Sequence, residues 1–162
     1  MAQRIRLALL GLWLGAMSLF SFVVAPSAFA VLPTRQLAGD VVSRVLGWVE
    51  VLGLALGALL LVIWLLTRPQ SRKRLHFEFI VLTLMTGSMA VSHFFVSARL
   101  RALRSRFGDG LSLLAADDPT RVTFDRLHQV SVWLMGFTLL AALALIIHLV
   151  RRDRSRGPRL EF

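Results

Sequence analysis

Four long apolar runs, approximately Leu7–Val24, Val45–Leu66, Phe77–Val96 and Val130–Val150, occupy most of this chain. Each is about 18–22 residues long, enough at 1.5 Å per residue to cross a hydrocarbon layer roughly 30 Å thick. Lipid offers backbone N–H and C=O groups no water partner, so each run must satisfy itself as a helix. The sequence therefore predicts an all-α fold, a four-transmembrane-helix bundle. Its helices fall at about 5–25, 45–66, 77–107 and 119–150, with a basic tail over 151–162. One membrane domain is the economical count for 162 residues, 56% of them hydrophobic.

The net charge is +10, and eighteen of the nineteen basic residues are arginine. In a soluble protein that balance would suggest nucleic acid. Here the cations flank apolar helices, and no helix-turn-helix, zinc finger or RNA-binding motif accompanies them. The lipid bilayer is the expected partner, with anionic headgroups facing the arginine-rich tail from Arg151 to Arg159; nucleic acid is not expected. The lack of cysteine excludes disulfides, thiolate metal sites and Cys nucleophiles. There is no Walker loop, H-E-x-x-H helix, nucleophile elbow or dinucleotide fingerprint. A non-enzymatic protein with no cofactor is the expectation.

The first 30 residues imitate a secretory signal: Arg4 and Arg6, an apolar stretch, then Ser27-Ala28-Phe29-Ala30. The run to Val24 exceeds the usual length of a signal's apolar region and contains Trp13, so a retained first helix is expected. Eleven Arg and Lys lie in the N-terminus, the Arg68–Arg74 connection and the tail, against eight on the other side. The positive-inside rule then puts both termini in the cytoplasm, in a bacterial-type inner membrane.

Arg99-Leu-Arg-Ala-Leu-Arg-Ser-Arg106 carries good helix formers, so helix three should continue into water until Gly108-Asp109-Gly110 breaks it. Asp117 or Asp118 can cap a new helix with Pro119 in its first turn. Helices three and four would then extend beyond the membrane as a hairpin, with Arg101 facing Asp125 as a solvated pair. Trp48 and Trp64 suit the two interfacial belts. Pro26 and Pro33 should end helix one.

Several short motifs resemble a known family. They are Gly11-Leu-Trp-Leu-Gly15, Phe20-Ser-Phe-Val-Val-Ala-Pro26, Ala28-Phe29, Leu37-Ala-Gly39 and Phe124-Asp-Arg-Leu-His128-Gln-Val-Ser131. Their order and spacing resemble the transmembrane protein 205-like family, domain of unknown function 4149, from about Leu7 to Val150. The resemblance implies a four-helix integral membrane protein and no established reaction. More distantly, the Gly-containing first helix is similar to membrane families that handle copper or haem, such as copper-resistance D-like proteins. Those usually carry a His where this chain has Arg4 and Arg6.

In lipid, small and polar residues recurring every three or four positions mark the bundle interior. Span one offers Gly11, Gly15, Ser18, Ser21 and Ala25; span two, Glu50, Gly53 and Gly57. Span three offers Thr83, Thr86, Ala90, His93 and Ser97; span four, His128, Ser131, Thr138 and Ala142. Gly11/Gly15 and Gly53/Gly57 are helix-packing pairs, within the bundle or against a second copy. The short loop near Arg72 sets residues of spans two and three level when their numbers sum to about 143, which pairs Glu50 with His93.

Glu50 is the sharpest residue. A carboxylate inside a span costs roughly 2.5–3.5 kcal/mol unless it is paired, solvated or protonated. One reading is a Glu50–His93 proton- or cation-binding site completed by Ser21, His128 or Ser131. The other is that Glu50 reaches headgroups while His93 bonds within its own helix. Glu78 and His148 also come level, and both read as interfacial and solvated. Metal ligands are not expected; a haem or copper site would have to use His93 and His128, offset by about 7.5 Å along their helices. Three functions remain open: a partner or transport-assisting subunit, a haem- or copper-handling protein, and an oligomeric proton- or cation-coupled carrier.

Overall fold

Among the described residues, four helices are long and apolar enough to cross a membrane: α1 (Gln3–Val31), α2 (Arg35–Thr67), α3 (Phe77–Phe107) and α5 (Pro119–Arg152). A single turn, α4 (Gly110–Leu113), lies between the last two. The computed structural model describes residues 2–67, 72–108 and 110–154, and no strand occurs among them. The chain is thus the all-α four-helix membrane protein that its apolar runs dictate. Residues 68–71, Asp109 and the basic segment beyond Arg154 lie outside the described residues.

The helices alternate in direction and pack as a ring, α1 on α2 and α5, and α3 on the same two neighbours. The described ends of the chain share one end of the bundle with the α2–α3 connection; this is the termini end. The Leu32–Thr34 turn and the α3–α5 connection form the hairpin end. The α2–α3 register follows the expected rule. Trp64 meets Phe79 (ring centroids 4.7 Å apart), Gly57 meets Thr86, and Gly39 meets Arg104; every pair sums to 143.

Helix ends show what the local sequence controls. Helix α2 starts at Arg35, well before the apolar run, because Thr34 caps it; the Leu37 N–H donates to Thr34 Oγ1 at 3.2 Å. Pro26 does not end α1. A π turn over Phe20–Val24 precedes it, and Pro26 falls in the first turn of the α-helical segment that follows, where its missing N–H costs little. Only the extended Leu32 before Pro33 breaks the helix. Helix α3 contains a second π turn, Ser92–Ser97, and runs on to Phe107. Gly108 then takes a φ of 50°, open to glycine because it lacks a Cβ. Asp118 caps α5 by accepting the Thr120 N–H at 2.7 Å, as expected.

The interior is less polar than the small-residue rule suggested. Leu10, Trp13 and Met17 of α1 and Leu82, Met85 and Met89 of α3 recur at helical spacing and fill the core with α2 and α5. Burial from lipid brings no transfer gain, so close dispersion contacts hold these side chains together. Trp64 belongs to this core and is not an interfacial anchor, whereas Trp48 is 73% exposed. Gly53 and Gly57 pack as expected: a Cβ on Gly53 would meet Trp13, and one on Gly57 would strike Thr86. Gly11 and Gly15 do not pack inside the bundle. They lie on its outer face with nothing within 4 Å of an added Cβ. Thr83 also faces outward.

Candidate functional site

Glu50 sits on the buried face of α2 at 1% exposure, where no headgroup can reach it. Three side chains of α3 bond to it. Ser92 and Ser97 each donate to Oε1, at 2.5 and 2.8 Å, and His93 Nδ1 lies 3.1 Å from Oε2. Within an ordinary α-helix, residues five apart point to different sides. The π turn repeats every i to i+5, which stacks Ser92 above Ser97 and brings both hydroxyls to one oxygen. Wide turns of this kind recur at functional sites.

The interface reading of Glu50 is therefore wrong, and its contact with His93 is present. The expected completing residues are elsewhere. Ser21 donates to the Met17 carbonyl at 2.8 Å and contacts Met135 Sδ at 2.9 Å. Ser131 is buried on α5 but is not among the described partners of Glu50. His128 is exposed and lines a cleft of about 250 Å³ at the hairpin end, with Arg35, Asp40, Arg121 and Asp125. It thus belongs to a different cluster from His93. The five-residue offset between them becomes a separation of site as well as of height. No group of three or more His, Asp or Glu side chains suited to a metal ion occurs among the described residues.

The same cleft holds Arg104, which donates to the Gly39 carbonyl and Ser43 Oγ and lies 5.2 Å from the Phe124 ring centre. Arg101 does not face Asp125. It shares a ridge of α3 with Ser97 and Arg104, and that ridge packs on α2, placing Arg101 against Gly47.

Glu78 forms the counterpart at the termini end and also differs from expectation. It is 1% exposed, not solvated. Arg152 Nη1 donates to Oε1 at 2.7 Å and Arg6 Nη1 to Oε2 at 3.3 Å. His148 Nε2 lies 3.9 Å from Oε1, its ring 5.0 Å from that of Phe77. Arg6 also bonds Thr67, so this knot ties all four spanning helices. Long arginines reaching in from helix ends replaced the water that solvation required. The signal lay in the sequence: Arg6 and Arg152 stand at the level of Glu78, one near each terminus.

A second pair of hydroxyls lies one turn inward from Ser92. Thr138 Oγ1 bonds the Leu134 carbonyl at 2.9 Å and approaches Ser88 Oγ at 3.3 Å, while Ser88 donates to the same carbonyl at 3.3 Å. Ser88 had no place in the expected seam. It occupies the position one turn before Ser92, so the spacing of four was the available signal.

No curated protein and no solved structure matches the chain. The family model described as "Domain of unknown function (DUF4149)" matches residues 8–107, which spans α1, α2 and α3 and so includes both carboxylates and the π turn of α3. The motif at Phe124–Ser131 falls outside the matched region. The match covers more than half of the chain, and the protein belongs to the DUF4149 family.

Proposed function

We propose that the protein is a non-enzymatic membrane subunit whose working part is the Glu50–His93 pair, a buried site that takes up and releases a proton. One observation carries this reading. Glu50 is fully buried, yet hydroxyls and one imidazole are its only described partners, with no arginine to fix its charge. A carboxylate and an imidazole in contact can share and exchange a proton, and His93, with 20% side-chain exposure, is the less buried of the two. His93 is the one titratable group within ion-pair distance of Glu50 among the described residues; Arg101 lies a turn beyond, against Gly47.

Positive charge at the termini end supports an orientation with both termini in the cytoplasm of a bacterial inner membrane. The open Gly11/Gly15 face of α1 supports assembly with a second copy or another membrane helix. The test is NMR of imidazole-labelled protein in nanodiscs across a pH series. The His93 resonance should titrate reversibly, and Glu50→Gln should displace its midpoint. A His93 signal that is unchanged by pH, or by Glu50→Gln, sinks the proposal.

A further inference from the structure

Between Glu50 and Thr138 lies a cavity of about 10 Å³, lined by the polar side chains of Glu50, Ser88, Ser92 and Thr138. That is the room of one water-sized sphere. Its polar lining has an unusual property: every hydroxyl proton is already committed. Ser92 donates to Glu50, Ser88 donates to the Leu134 carbonyl, and Thr138 donates to that carbonyl or to Ser88. An ionised carboxylate has no proton to give. The cavity therefore presents oxygen lone pairs from four side chains and no described side-chain donor.

An all-acceptor cavity takes an occupant that donates protons or carries positive charge, and the buried Glu50 carboxylate favours the second. We infer that it is a binding site for a small, hard monovalent cation, sodium, held by the Glu50 carboxylate and the Ser88, Ser92 and Thr138 oxygens. Hard cations take oxygen ligands, and the π turn sets Ser92 beside the Glu50 carboxylate at this cavity. The inference rests on Glu50 being the proton site, because sodium and a proton then compete for the same charge. Met17, Met89 and Met135 also touch the cavity, and their thioethers would suit a soft ion. Oxygen is favoured because the charge that must be compensated resides on Glu50.

The experiment is equilibrium binding of radioactive sodium to the full chain in nanodiscs, at fixed ionic strength with choline as the replacing cation. Saturable binding of one sodium per chain is expected, displaced by cold sodium and not by choline. Glu50→Gln should abolish it. Thr138→Val and Ser88→Ala should each weaken it by about tenfold, the effect of losing one charge-assisted contact. Thr83→Ala, on the outer face, should leave it intact. Using two cavity variants keeps the test open if one fails to fold. Absent sodium binding with normal Glu50-dependent titration of His93 overturns the cation site and leaves the proton reading standing. Loss of both removes both. Saturable uptake of silver ion in place of sodium overturns the inference in favour of the methionines.

Discussion

Glu50 and Glu78 are equally buried glutamates on neighbouring helices, and their surroundings make them chemically opposite. Glu78 receives two guanidinium groups, one on each oxygen, with His148 beside them. The two guanidinium groups tie it to both terminal segments, so it joins the ends of the helices. Glu50 receives neutral hydroxyls and an imidazole that is charged only when protonated. Burial alone therefore does not define a functional carboxylate. What separates the two glutamates is their partners: fixed cations at Glu78, hydroxyls and an imidazole at Glu50.

The contrast breaks most readily at Glu78. Glu78→Gln removes the anion of the buried Arg6 and weakens the contact with the half-buried Arg152, and should cost about 3–5 kcal/mol. Reversible unfolding in mixed micelles would measure it; a loss below that of Glu50→Gln would reverse the assignment of the two roles. Between the sites, Gly57→Ala drives a methyl group into Thr86, which should cost about 1–3 kcal/mol and disturb the α2–α3 register that positions both carboxylates. Glu50→Gln keeps shape and most hydrogen-bonding capacity, so about 1–2 kcal/mol is expected, well short of the Glu78 loss. The smallest effect belongs to Gly11→Ala. The added methyl meets nothing within the chain, so folding of the monomer should change by under about 0.5 kcal/mol. A larger destabilisation in native membranes, read alongside cross-linking, would reveal a partner helix on that face.

The parts legible in the sequence were those fixed by length and by a short loop. Four apolar runs set the spans, and the brief connection near Arg72 set the α2–α3 register, which is why Glu50 and His93 could be paired in advance. The expected level of Glu78 and His148 held too, while Arg101 turned to α2 in place of Asp125. Rotation about the helix axis was not legible. Gly11/Gly15 and Gly53/Gly57 have the same spacing, but only the second pair turns inward. His128 shares a side of the membrane with His93 yet lies on a different surface. The π turn was invisible for a related reason. Ser92 and Ser97 read as diverging positions on an α-helix, and only a helix of wider turn unites them.

That wider turn also joins two parts of the molecule mechanically. Ser97, Arg101 and Arg104 ride on one ridge of α3, with Ser97 gripping Glu50 and Arg104 gripping Gly39 and Ser43. From the α3–α5 connection, Arg104's hold on Gly39 and Ser43 comes first and Ser97's hold on the carboxylate follows two turns deeper, so the connection and the buried carboxylate share one line of contacts.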